Sequence, residues 1–282
     1  MKFLYLSVVA AGIIFSACNS GPEDGETAAD STAVKMDSAM AISVKTDSVN
    51  VAADTTTMKC FIAYDENKSG SRPIVLIVPE WWGVTDFTKS KAKQIAELGY
   101  FAVVVDIYGN GKIADDPKTA GSAAGPFYTN KKLATGRIQA ALDKAKTYTQ
   151  ADSSKTAAIG FCFGGTMVLN AATLGTDFDG VVSFHGGLQG VTPSKDVKAK
   201  ILVCHGAADP FVPAKDVEAF RKQFDAAKVP YTFREYPGAV HAFTNPGADE
   251  YGKKFNIPVA YNADADRNSW NDMKNFFAGI WP

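Results

Sequence analysis

Hydrophobic and polar positions follow distinct rhythms along this chain, and the rhythms divide it. Met1-Lys2 opens on positive charge, Phe3 to Phe15 is mostly apolar, and the small pair Ser16-Ala17 precedes Cys18. The apolar run is shorter than the roughly 20 residues a membrane-spanning helix needs. A cationic start, a short apolar core and small residues before a cleavage point predict a secretory signal peptide over 1–17. Residues 18–40 are rich in Ala, Ser, Thr, Asp, Glu and Gly and hold no aromatic side chain. Too little apolar surface is present to offset the entropy of ordering, which predicts a flexible tether. From residue 41 to 282 regular periods take over and predict a folded domain.

Within that domain Ile42 to Lys45 alternates and Met58 to Tyr64 is strand-like, which together predict an antiparallel start. Ile74 to Val78 and Phe101 to Val105 are continuous apolar runs, the mark of strands buried on both faces. Thr156 to Gly160, Val181 to Phe184, Ile201 to Cys204 and Tyr231 to Tyr236 add further strands. Helical spacing appears over Phe87 to Leu98, where Gly99 supplies a stop. Helices are also predicted over Lys131 to Tyr148, Thr166 to Leu174, Ala214 to Ala227 and Asp264 to Ala278. Such alternation predicts an α/β fold: one doubly wound, mainly parallel sheet with helices on both faces. Ligands then sit beyond the carboxyl ends of the strands.

Composition narrows the function. Lys+Arg 29 against Asp+Glu 30 leaves a net charge of −1, which argues against a nucleic-acid partner, since that needs a basic excess. Four cysteines make no disulfide scaffold, and three histidines (His185, His205, His241) leave a multi-histidine metal centre unexpected. Histidine-dependent chemistry therefore has three candidates.

Three loops that follow predicted strands carry candidate chemistry. Gly160-Phe161-Cys162-Phe163-Gly164-Gly165 fits the nucleophile-elbow pattern, with cysteine in place of serine. The tight turn demands small flanking residues and sets Cys162 at a helix start, where free N–H groups and the helix dipole favour a thiolate. The competing interpretation is a glycine-rich turn around an inert cysteine. Asp209 follows the strand that ends at Cys204, a place from which an acid can orient an imidazole. Equally, aspartate is common in turns before proline. His241 lies in the small-residue loop Gly238 to Phe243, within reach of the elbow. His185, before Gly186-Gly187, either lines a pocket or packs in the core, and His205 reads as packing or hydrogen bonding. Nucleophile, acid and histidine occur in the order α/β-hydrolases use.

These residues make the chain resemble the dienelactone hydrolases of the α/β-hydrolase superfamily, from about residue 42 to the C-terminus. The elbow, the stretch Gly206 to Pro213, His241 with its following Ala-Phe, and Pro79-Glu80-Trp81-Trp82-Gly83 carry the likeness. The resemblance implies the α/β-hydrolase fold, with Cys162 as nucleophile, Asp209 as orienting acid and His241 as base. Glu80 matches a glutamate that contacts and modulates the resting thiol. Backbone N–H groups of Phe163 and Trp81 are the implied oxyanion hole. Trp82 and Phe243 are implied as apolar pocket walls, with Tyr108, Asn110 and Asn245 beside them.

Dienelactone hydrolases proper place arginines shortly after the Asp106-Ile107-Tyr108 stretch and after the histidine, to hold a substrate carboxylate. Here those positions read Asn110 and Asn245, and asparagine offers no charged bidentate clamp. The expected activity is hydrolysis of another small-molecule carboxylic ester or lactone through a thioester acyl-enzyme, with no metal or organic cofactor. The alternative is a catalytically silent binding protein of the same fold. The Ser-Ala-Cys ending of the leader also resembles a bacterial lipoprotein signal, in which Cys18 is lipidated. That implies an exported protein whose only hold on the membrane is its lipid. Of the remaining cysteines, Cys60 and Cys204 are expected to pack as small hydrophobes and Cys162 to be free.

Overall fold

A computed structural model describes residues 41–195 and 197–282. The expected signal segment, Cys18 and the tether lie outside the described residues. The elements in chain order are β1 (Val44–Ala53), β2 (Thr56–Asp65), β3 (Arg72–Val78), α1 (Asp86–Glu97), β4 (Phe101–Val104), α2 (Pro117–Thr129) and α3 (Lys131–Ala145). There follow β5 (Ala151–Phe161), α4 (Phe163–Thr173), β6 (Gly180–Phe184), β7 (Lys200–Gly206), α5 (Ala214–Ala227), β8 (Thr232–Tyr236), α6 (Ala248–Phe255) and α7 (Ala263–Ile280).

The strands form one sheet in the order β1-β2-β4-β3-β5-β6-β7-β8. It is antiparallel through β1, β2 and β4 and parallel from β4 to β8. Side chains alternate across it: Ile74, Leu76 and Val78 of β3 join the core under α3, α4 and α5, while Val75 and Ile77 join the core under α1 and α7. Burial on both faces is why these strands read as unbroken apolar runs. The chain leaves β3 toward β4 on one side and returns through β5 on the other. Strand order therefore reverses between β3 and β5, and a crevice opens at their carboxyl ends.

Two helices depart from the sequence-based expectation. In α2, two glycines, a serine and an internal Pro126 hide the helical pattern. Asp116 starts it nonetheless, its carboxylate accepting from the N–H groups of Lys118 and Thr119, with Pro117 at the first helical position. The other, α6, is eight residues long, and its place is set by packing against the crevice. A smaller departure is the start of α4, which begins at Phe163 rather than Thr166, because the elbow runs directly into the helix. All its residues are buried.

Candidate active site

Cys162 sits at the end of β5 with φ 54 and ψ −119, a left-handed backbone that a non-glycine residue holds only under constraint from its surroundings. Glycines supply that constraint. A Cβ on Gly160 would lie 2.1 Å from the Gly164 carbonyl oxygen, and one on Gly165 would lie 2.6 Å from Ser183 Oγ. The Cys162 N–H donates to the Phe184 carbonyl and to His185 Nδ1 (3.1 Å). Its neighbour Phe163 opens α4, where a backbone N–H has no intrahelical acceptor.

Asp209 follows β7 and His241 follows β8. Gly206 lets the two loops meet, since a Cβ there would lie 2.6 Å from the Ala239 carbonyl oxygen. Ala207 and Ala208 donate across to Tyr236 and Ala239. Asp209 Oδ1 accepts from the Phe211 N–H, which leaves Oδ2 2.8 Å from His241 Nδ1. His241 and Cys162 line the same cavity, and the sulfur acts electrostatically on the imidazole. Burial pulls this imidazole down, but attraction to Cys162, the hydrogen bond to Asp209 and the Asp209 charge outweigh it. The net effect holds His241 well above the usual imidazole range. The structure thus pairs His241 with Asp209 and sets the imidazole in the same cavity as Cys162.

Glu80 lies beyond β3, buried, and its Oε2 accepts from Asn245 Nδ2 at 2.8 Å. Its hydrogen bond runs to Asn245 and not to the thiol. Burial pushes the Glu80 carboxyl up to about 7, against the Asn245 hydrogen bond and the His241 and Lys91 charges. Between its ordinary value of 4.5 and about 7, the folded protein holds a proton that the unfolded chain releases. This contribution to stability is present below 4.5 and is lost as pH rises through 7, a swing of about 3 kcal/mol. Glu80→Gln keeps an acceptor for Asn245 and is expected to flatten that slope. Urea melts of both proteins at about pH 5 and about pH 8 check it, and an equally steep decline in the variant discards it.

The adjoining Trp81 is anchored from two sides. Its carbonyl accepts from Tyr108 Oη at 2.9 Å, and its ring meets Trp82 edge-on. Trp82 in turn stacks on Tyr251 and Phe255 of α6. Trp81 and Phe163 both line the cavity that holds Cys162.

A cavity of about 570 Å³ opens over Cys162. Trp82 and Asn245 line it, whereas four of the expected pocket residues do not. Tyr108 stands behind the wall, its hydroxyl spent on Trp81 and its ring against Phe163. Asn110 adopts φ 58 beside the β1–β2 hairpin and bonds Thr56 and Thr57. Phe243 is buried against His185 and Tyr236. His185 is also fully buried; accepting from the Cys162 N–H at Nδ1 leaves its Nε2 to donate to Thr244 Oγ1 at 2.8 Å. Burial, then the neighbouring His241 charge, hold His185 neutral. It is a strut between the elbow and the loop that carries His241, not a pocket wall.

Sequence reasoning missed several walls: Tyr128 from the unexpected α2, Tyr251 from the unexpected α6, and Leu188, Phe211, Ile257 and Val259. Tyr128 and Phe211 are each half-exposed, at 50%, and pack on Phe163 and His241 respectively. The Asp116-Pro117 helix start was the one signal that could have revealed α2. Cys60, Cys162 and Cys204 are free. Burial pushes the Cys60 and Cys204 thiols up to about 11 and about 12, so neither competes with Cys162 as a reactive sulfur.

With this geometry in view, comparison with known proteins is decisive for the family. The chain matches the dienelactone hydrolase family over residues 58–281. It belongs to that family. Among solved structures, this dienelactone hydrolase family member is similar to a dienelactone hydrolase-like promiscuous phosphotriesterase from metagenomic libraries. The two are 35% identical with a TM-score of 0.78, over 84% of this chain and 98% of that one. A structure named m3DLH is 30% identical with a TM-score of 0.80, over 85% and 99%. A Yersinia pestis protein named "Putative carboxymethylenebutenolidase" is 25% identical over 233 residues, 78% of this chain and 83% of its own length. The fold is that of the α/β-hydrolases, and the family makes the protein a hydrolase of small molecules.

Proposed function

We propose that this protein hydrolyses carboxylic esters or lactones through a covalent thioester on Cys162. One observation carries the reading: an elbow cysteine and an imidazole bonded to Asp209 line a single cavity. His241, its basicity raised, takes the Cys162 thiol proton as sulfur attacks. Sulfur attacks the carbonyl carbon, a C–S bond forms, and the carbonyl electron pair moves to oxygen. Backbone N–H groups of Phe163 and Trp81 receive that oxyanion. As the C–O bond breaks, His241 gives its proton to the leaving oxygen, and Asp209 keeps the ring oriented. A water then loses a proton to His241 and attacks the thioester; the C–S bond breaks, the acid departs, and His241 returns the proton to sulfur.

Mixing the protein with excess 4-nitrophenyl acetate and quenching in acid tests this. A burst of nitrophenolate near one equivalent per chain is expected, with the acyl mass on the peptide that contains Cys162. Turnover without acylation of Cys162 would exclude the covalent route. A silent binding protein of this fold would show neither burst nor adduct.

A further inference from the structure

The cavity over Cys162 has an electrostatic character that the triad does not explain. Among the described residues lining it, none is lysine or arginine. Its walls are Trp81, Trp82, Tyr128, Leu188, Phe211 and Tyr251, closed by Ile257 and Val259. Two carboxyl groups also face it, Glu80 on the floor and Asp216 from the first turn of α5. Cations around these elements are committed elsewhere: Lys131 donates to the Gly190 carbonyl, next to the lining Gln189. Lys91 pairs with Asp266 at 3.1 Å beside Trp270. Arg137 donates to the carbonyls of Ile107 and Tyr108 and pairs with Asp54. At Asn245 the wall presents a neutral amide, already bonded to Glu80.

A bound carboxylate would therefore lose its water with no lysine or arginine to replace it, which is unfavourable in an apolar cavity. The one cationic group of the described lining, His241, is already paired with Asp209. It would also face the like charge of Asp216. An uncharged arm meets only aromatic and aliphatic surface, and about 570 Å³ falls within the ordinary range for small-molecule pockets. We infer that the site selects uncharged esters or lactones with an apolar or aromatic arm and rejects those that carry a free carboxylate. This rests on the hydrolase reading above and names its substrate class. The aromatic rim supplies binding area, and the lack of a lysine or arginine in the described lining supplies the discrimination.

Two esters of equal leaving group and length test it: 4-nitrophenyl hexanoate and the mono-4-nitrophenyl ester of adipic acid, which replaces the terminal methyl by a carboxylate. The hexanoate is expected to show a kcat/KM higher by about tenfold to a hundredfold, after correction for the Cys162→Ala background. Asp216→Asn should narrow that ratio by several-fold, because it removes one of the like charges. Equal kcat/KM for the two esters, with turnover intact, overturns the charge selection and leaves the hydrolase reading standing. Binding provides a readout free of turnover. Both esters bound to Cys162→Ala quench the emission of Trp81 and Trp82, and the hexanoate should bind about tenfold tighter or more. Equal or tighter binding of the adipate ester overturns the inference, whether or not the wild-type protein turns over either ester.

Discussion

Cys162→Ala is expected to lower kcat on a chromogenic ester by about 10⁴-fold or more, with little change in melting temperature. The side chain is partly exposed at the cavity floor, and alanine keeps the Cβ that already fits the φ 54 backbone, so packing is preserved. What is lost is the sulfur proposed to form the bond with the substrate. His241 and Asp209 would remain hydrogen-bonded to each other, and the Phe163 and Trp81 N–H groups would keep their places. Residual activity therefore measures what positioning and oxyanion binding achieve without covalent attack. His241→Ala should fall comparably on the same assay, because members of such a unit do not contribute additively. Steady-state kinetics with thiol-free preparations check both. A Cys162→Ala protein retaining more than about a tenth of wild-type kcat/KM would show that the nucleophile lies elsewhere.

Gly164→Ala should have the largest effect on folding. A Cβ at this position would stand 2.1 Å from the Val78 carbonyl oxygen and 2.6 Å from that of Pro79. Both obstacles are backbone of the strand end that precedes Glu80, so no rotamer relieves the clash. Either α4 must move away from β3 or the elbow must open, and each change also separates Cys162 from Trp81. A loss of about 4 kcal/mol or more is expected, enough to leave the chain largely unfolded. Gly136→Ala, in α3 where nothing lies within 4 Å of the new atom, should instead stabilise by about 0.5–1 kcal/mol. Denaturant melts of the pair separate a general intolerance of alanine from the specific contact at Gly164. Wild-type stability in Gly164→Ala would mean that α4 and β3 do not approach this closely.

The two substitutions mark how differently parts of this protein are written in its sequence. The strand-to-helix alternation was legible because burial on both faces leaves unbroken apolar runs such as Ile74 to Val78, and helix faces such as Val217, Phe220 and Phe224 of α5 repeat at helical spacing. The elbow was legible for a related reason: Gly160 is required by a contact four residues along, at Gly164, although Gly164 itself is required by the distant Val78 and Pro79. By contrast α2 carries Gly121, Gly125 and Pro126, which argue locally against a helix and are overridden by the docking of Ala124 and Phe127 into the core.

Side-chain partners across loops were not legible at all. Phe243 and Asn245 lie two residues apart, yet one is core and the other holds Glu80 in the cavity. His185 might equally have lined a pocket by its place after a strand; only the register that sets it under Cys162 and beside Thr244 makes it a strut. Local periodicity and steric need thus determined the order of elements, the tight turn and the candidate trio, since those depend on neighbours along the chain. Which walls line the cavity, which carboxyl meets which amide and that no described lining residue is lysine or arginine were decided by tertiary structure, because they depend on loops from β3, β5, β7 and β8 and on α2 and α6 meeting over one sheet edge.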